Sequence, residues 1–390
     1  MPEQIITDVA VVGAGVHGAS ITMHLAARSV DVTLLERHEP AGGPTGRSSA
    51  ACRAYYTDPF LARVAREAVD AFASFGELTG GRDAGFHRTG GLFLHSAEEA
   101  AEVEATVAAL QRIGTRTDLL SQEEARTRFP RFDLDDVRVA AWEHDAGYAD
   151  PVLTTTGMVE RARELGARLL QRSEVTRLSL ATGDRSVELG LADGRHVSAG
   201  QVVLATGPWT AALAAQLGIE LPLTVERHIV ADVRWGDAPP FEHVFADIQQ
   251  GYYAKPEPSG GFLLGPLTPE PPIEDPDRFD ERIHDDELTE LTGRAVRRVP
   301  DLSMAQPRGG WASLYDVSPD WQPVIGEIAP GVFVDAGTSG HGFKLAPAIG
   351  RHVADLVLGD PDPELAAFGP QRFEAGHTRA GGYGEARILG

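Results

Sequence analysis

The chain has 390 residues, and its 35 basic and 57 acidic side chains give a formal net charge of −22 at pH 7, which opposes binding to nucleic acid or an anionic membrane surface. A hydrophobic content of 42% at this length suffices for two domains, while one cysteine, Cys52, excludes a disulfide framework and a multi-cysteine metal site, so no metal is expected. No apolar run approaches membrane-spanning length and the first strand pattern starts within a few residues of Met1, so the reading is a cytoplasmic protein with neither membrane span nor signal peptide.

Thr7 to Glu36 reads as strand, glycine turn, helix and second strand. Val9, Val11 and Val12 form a buried strand, and GAGVHG sets Gly13, Gly15 and Gly18 at the spacing G-x-G-x-x-G around Val16 and His17. Gly13 permits the tight turn, Gly15 lets backbone approach a pyrophosphate, and Gly18 lets the helix pack close to the strand. The helix N-terminus supplies N–H donors and a partial positive charge to phosphates. Glu36, followed by Arg37, ends the second strand where a carboxylate can bind the ribose hydroxyls of an adenosine, which makes a 2′-phosphate cofactor the poorest dinucleotide candidate.

The next stretch, HEPAGGPTGRSSAACRAYYTDPF, is rich in small residues; Ser48 and Ser49 can run against a flat ring, with Arg53, Tyr55 and Tyr56 projecting beside it. Asp58 and Pro59 start an amphipathic helix. Gly85 to His95 reads as a strand pair or bulged strand, Ala97 to Gly114 as a helix, Ser121 with Glu124 as a capping box, and Asp150–Pro151 as the start of a helix reaching Gly166. Strands follow at 174–180, 187–191 and 196–203, with a hairpin turn at Asp193–Gly194, and VVLATG leads through Pro208 into a helix. From about Pro222 to Pro323 the texture is that of a second, largely antiparallel β region, interrupted by a helix at 286–299. Then comes a strand at 332–335, a glycine turn and a helix from about His341 to Leu358; the residues from Gln371 read as a polar, mobile tail.

These pieces in this order resemble the FAD-dependent amine and amino-acid oxidoreductases of the D-amino acid oxidase and sarcosine oxidase type. The resemblance covers nearly the whole chain and rests on the cradle, VVLATGPW at 202–209, WASLYDVSPDWQPVIG at 311–326 and GTSGHGFKLAPAIG at 337–350. It implies a Rossmann-like α/β FAD-binding domain assembled from residues 1–85, 145–222 and 325–370. A largely antiparallel substrate domain would come from 86–144 and 223–324, with 371–390 as the tail.

One extended FAD is implied. Gly13, Gly15, Val16, His17, Gly18, Glu36 and Arg37 would hold its adenosine and pyrophosphate, with Ser48, Ser49, Val175, Thr206, Gly207, Trp209, Gly340, Gly342, Phe343 and Lys344 along the remainder. The isoalloxazine would lie between the 47–53 segment and the 340–344 turn.

Matching RAYY and GHGFK to the sarcosine oxidase pattern implies that Arg53 and Lys344 hold a substrate carboxylate. Two charge-assisted donors suit that task. His341, Tyr252 and Tyr315 complete the expected catalytic set, with Tyr55, Tyr253, Trp311 and His228 as further pocket candidates and the N–H groups of His341 to Phe343 aimed at negative charge on the cofactor. Where monomeric sarcosine oxidases carry a flavin-linking cysteine this chain has Ser313, so FAD is expected to be non-covalent, with Cys52 a buried packing residue. Where they carry a lysine that assists oxygen reduction this chain has Leu263, with Lys255 nearby.

The implied reaction is oxidation of the C–N bond of an amino acid or a secondary or N-methylated amine to an imine, followed by hydrolysis. Oxygen or another electron acceptor would take the electrons. An NAD-linked alcohol dehydrogenase would use the same cradle but not the VVLATG and GHGFK segments; the remaining alternative is a flavin-carrying dehydrogenase subunit, or a pathway-specific flavoenzyme on a specialised amine metabolite, passing electrons to an acceptor other than oxygen.

Overall fold

In the computed structural model, the residues described are 4–181, 187–236, 239–379, 381–383 and 386. Strand β1 (Gln4–Val12) lies inside an eight-stranded sheet. It is parallel to β2 (Val32–Leu35) on one side and to the strand His196–Leu204 on the other. Arg168–Leu170 extends the sheet beyond β2, and Val332–Ala336 runs parallel to His196–Leu204. Val9, Val11, Val32, Leu34 and Val203 are buried on one face and Ala10, Val12, Val202 and Leu204 on the other. A parallel sheet covered on both faces thus reads as continuous apolar runs.

Helix α1 (Val16–Ala27) packs beside the helix Gly342–Val357 on that sheet. Only small residues allow this approach. A Cβ on Gly350 would overlap Ser20, and the helix Gly342–Val357 brings Phe343 and the 340–344 turn to the mouth of the cradle.

A second eight-stranded sheet is formed by Gln306–Val317, Thr224–Arg234, Gly261–Pro266, Tyr252–Glu257, Val244–Asp247, Gly91–His95, Val139–Glu143 and Thr117–Ser121, in that order. Its pairings are antiparallel except that between Val244–Asp247 and Gly91–His95. The helix Asp285–Arg298 covers one face over Leu264, Phe245 and Tyr252, while Tyr253, Tyr315 and His228 point from this sheet toward the cradle. The capping box at Ser121 and Glu124 is present, as are the hairpin at 193–194 and the helix Pro151–Glu164, capped by Asp150.

The tail departs from expectation. Gln371–Glu374 is helical, and Arg372 is buried with its guanidinium against Asp320 through two bonds of 2.9 Å. Tyr383 is also buried, its hydroxyl 2.9 Å from that of Tyr55 and 3.1 Å from that of Thr106. The polar composition of 371–390 registers local solvation; its anchors, Asp320 and Tyr55, lie far away in sequence. Residues 380, 384–385 and 387–390 of this stretch are outside the described residues. Among the described residues no helix is long and apolar enough to cross a membrane.

Candidate active site

The cradle is built by close backbone approach. Gly13 has φ +99°, and a Cβ there would come 2.5 Å from the carbonyl oxygen of Ala205; one on Gly18 would overlap that of Gly13. Glu36 steadies the turn by accepting N–H bonds from Ala14 at 2.8 Å and His38 at 2.7 Å. At the same end Arg37 lies 3.8 Å over the ring of Trp209, and both bond Asp277, at 2.8 and 3.0 Å.

His17 joins the cradle to the helix Gly342–Val357, with Nδ1 2.7 Å from Asp335 Oδ2 and Nε2 2.9 Å from the Gly342 carbonyl. Both partners are acceptors, so the ring carries both protons. Burial opposes that charge, but Asp335 and the Gly342 carbonyl outweigh it and raise the pKa.

An elongated cavity of about 700 Å³ runs from this cradle to the second sheet. Gly13, Gly15, Val16, His17, Glu36, Arg37, Ser48, Ser49, Val175, Thr206, Gly207, Trp209, Gly340, Gly342 and Phe343 line it, together with Tyr315. Gly18 acts behind the wall, by bringing α1 close. The fit to an extended dinucleotide rests on these glycines and on two buried carboxylate oxygens of lining residues, Asp316 Oδ2 and Asp335 Oδ1, that have no hydrogen-bond partner among the described residues.

Arg53 and Lys344 are both buried, 6% and 7% exposed, and lie close enough for each charge to act on the other. Arg53 donates to the carbonyl of Tyr55 and sits 4.5 Å from the centroid of the Tyr56 ring. Lys344 Nζ donates to Gly340 O at 3.2 Å, and among the described residues no carboxylate pairs with it. Burial, then Arg53, depresses its pKa well below the usual lysine value. His341 Nδ1 lies 3.2 Å from the hydroxyl of Tyr56, the same ring that Arg53 covers.

Arg53, His341, Lys344 and Trp311 are not among the residues that line this cavity, Trp311 bonding the Arg47 carbonyl instead, and three further expectations change. Tyr252 does not reach the cavity: it is fully buried on the opposite face of its strand, edge-on to Phe245, whereas its neighbour Tyr253 lines the cavity. Alternation along a strand makes adjacent residues face opposite ways. Tyr55 likewise stacks on Phe93 in the core, with centroids 4.2 Å apart. The backbone N–H of His341 is already bonded to Thr338 O at 2.7 Å, which leaves Gly342 and Phe343 as donors at the start of that helix.

The match to the family DAO, described as FAD dependent oxidoreductase, extends over residues 8–356. The chain belongs to this family. It is 29% identical over 97% of its length to the 4-methylaminobutanoate oxidase (formaldehyde-forming) of Paenarthrobacter nicotinovorans, of which it spans 47%. It is 28% identical to the monomeric sarcosine oxidase of Streptomyces avermitilis, covering 94% of this chain and 98% of that one. The crystal structure of L-proline dehydrogenase from P. horikoshii superposes with a TM-score of 0.87 at 28% identity, covering 97% of this chain and all of that one. This DAO-family chain is therefore an FAD-dependent oxidoreductase with the Rossmann-like and antiparallel-sheet architecture anticipated from its motifs.

Several residues of the DAO-family site escape a reading of motifs. Glu143, fully buried, accepts the N–H of Ala54 and so fixes the backbone beside Arg53. Asp277, Asp316 and Asp335 converge on the cavity from three separate segments. Cross-strand register sets Lys255 opposite Leu263 on one face of the sheet, where its amine is 2.5 Å from Glu257 and 4.3 Å from the Tyr148 ring centroid.

Proposed function

We propose that this enzyme oxidises the C–N bond of an amino acid or a secondary or N-methylated amine to an imine, which water hydrolyses. The observation that carries this reading is Lys344, a buried amine beside Arg53 whose acceptor among the described residues is a backbone carbonyl. Lys344, with no carboxylate on it among the described residues, favours an anionic ligand, because a buried charge is costly until it is paired. The names of the relatives, a methylaminobutanoate oxidase, a sarcosine oxidase and a proline dehydrogenase, are all consistent with amino-carboxylate substrates.

FAD, held non-covalently along the cavity since Ser313 cannot form a thioether, supplies the hydride acceptor when bound. Arg53 and Lys344 bind the carboxylate and so fix which hydrogen faces the ring; Tyr315, partly buried and packed against Gly340, screens that end from water. The N–H groups of Gly342 and Phe343 offer fixed donors toward developing negative charge. We divide the chain at the bounds given above, on the support that residues 4–35, 168–204 and 324–336 supply one large sheet and 91–143 and 224–317 the other.

A second reading, an electron acceptor other than oxygen, is favoured by one observation. The face that holds Leu263 has its cation, Lys255, neutralised by Glu257. The test of both is anaerobic mixing of the FAD-loaded protein with N-methyl amino acids, L-proline, glycine and D- and L-amino acids, followed by air. Bleaching by one class establishes amine oxidation, and slow recolouring favours the second reading; no bleaching by any member, with dithionite still reducing the flavin, refutes the main one.

A further inference from the structure

His228 lies on the strand Thr224–Arg234, 2% exposed, and its ring lines the cavity next to Tyr315, on which it stacks with centroids 4.0 Å apart and planes 20° from parallel. Nε2 is 3.0 Å from Glu226 Oε2, two residues earlier on the same face of the strand. That carboxylate oxygen is held in turn by the backbone N–H of Glu270 at 2.9 Å. A carboxylate only accepts, so Nε2 is the protonated nitrogen and the neutral ring presents Nδ1 as an acceptor. Nδ1 is buried and has no hydrogen-bond partner among the described residues.

We propose that His228, oriented by Glu226, is the proton acceptor for the substrate's ammonium group. The inference rests on the amine-oxidation reading above and adds the base that reading lacks. In the step, one N–H bond of the substrate ammonium breaks, its electron pair stays on nitrogen as the lone pair that assists hydride departure, and the proton goes to His228 Nδ1. The imidazolium so formed is stabilised by Glu226. Among the described residues, the other titratable groups beside this ring are Glu270, from the loop after Gly261–Pro266, and the phenol of Tyr315, while Tyr253 lines the same cavity; burial keeps both phenols neutral. The acidic neighbours therefore reinforce the proton acceptor.

The test uses FAD-loaded wild-type, His228→Asn and Glu226→Gln proteins. Their binding of 2-methylalanine, an amino acid with no α-hydrogen to lose, is followed by the change in flavin absorbance between pH 6 and 9. With His228 holding the proton, binding involves no net proton exchange, and the wild-type Kd is nearly flat across that range. In His228→Asn the proton must leave to solvent, and Kd weakens about tenfold for each pH unit below the ammonium pKa. Anaerobic flavin reduction by the best substrate at pH 7 falls on the order of a hundredfold and recovers as pH rises.

A residue that merely packs gives the same loss at every pH. That result, or an unchanged pH dependence in His228→Asn, overturns the proposal. Should His228→Asn fail to fold or take up FAD, Glu226→Gln, which keeps the ring, decides. Its Kd at pH 7 weakens about tenfold with recovery at high pH, and an unchanged Kd overturns the assignment. If no amine bleaches the wild type, the amine-oxidation reading itself has failed; if the wild type bleaches and the variants behave like it, only the assignment of His228 has.

Discussion

Glu143 accepts the backbone N–H of Ala54 through both carboxylate oxygens, at 2.8 and 3.0 Å, from a fully buried position one residue away from the Arg53 backbone. Burial is the main influence on this carboxyl, ahead of the Ala54 bond and Arg53, and pushes its pKa up to about 7. A raised acid pKa means that the folded protein holds more protons than the unfolded chain from about pH 4.5 to about pH 7. The stability Glu143 contributes is therefore lost as pH rises through that window. Glu143→Gln keeps an acceptor for Ala54 without the charge. It is expected to match wild-type stability near pH 4.5 and exceed it by roughly 3 kcal/mol at pH 8. Denaturant unfolding of both proteins at the two pH values checks this, and a constant difference refutes it.

Lys344 presents the opposite sign. Its depressed pKa means that the folded protein binds fewer protons than the unfolded chain between the shifted and ordinary lysine values, so its cost is lost as pH rises through that range and is present at neutral pH. Lys344→Met is expected to raise the melting temperature of the substrate-free protein, through a gain on the order of 1–4 kcal/mol. It should retain FAD and lose flavin reduction by amino-carboxylate substrates. A variant that reduces its flavin at the wild-type rate removes Lys344 from carboxylate binding.

Gly18 tests the cradle. A Cβ there would overlap the Gly13 carbonyl, so Gly18→Ala must push α1 off β1 or open the turn. The expected cost is about 3 kcal/mol or more, with the purified protein colourless or only partly loaded. A fully loaded yellow variant of wild-type stability would mean that helix and turn tolerate the displacement.

Arg372 tests the tail. Its two bonds to Asp320 are buried, and the same guanidinium reaches the Gln322 carbonyl at 3.0 Å. Arg372→Ala strands the Asp320 carboxylate and is expected to cost about 3–5 kcal/mol, measured as a lowered unfolding midpoint in urea. A midpoint unchanged from wild type would show that residues beyond Gly369 are dispensable for stability.

What the sequence determined by itself is what local chemistry dictates. The glycines at 13 and 18 leave no room for a side chain, the apolar runs of β1 and β2 are those of a covered parallel sheet, and Asp58, Ser121 and Asp150 cap helices whose first turns need acceptors. These signals are written within about thirty residues of sequence, so the pattern alone carries them, and with GHGFK and VVLATG they point to the family. What only the tertiary structure decided is which way side chains face and which distant groups meet. Strand pleat sends Tyr253 rather than Tyr252 to the cavity, and antiparallel register sets Lys255 across from Leu263. The buried carboxylates of Glu143, Asp316 and Asp335 gain their roles from partners or a cavity that exist once two sheets close on each other. The physical reason is range: caps and turns are satisfied by near neighbours, whereas a buried charge finds its partner wherever the fold brings one.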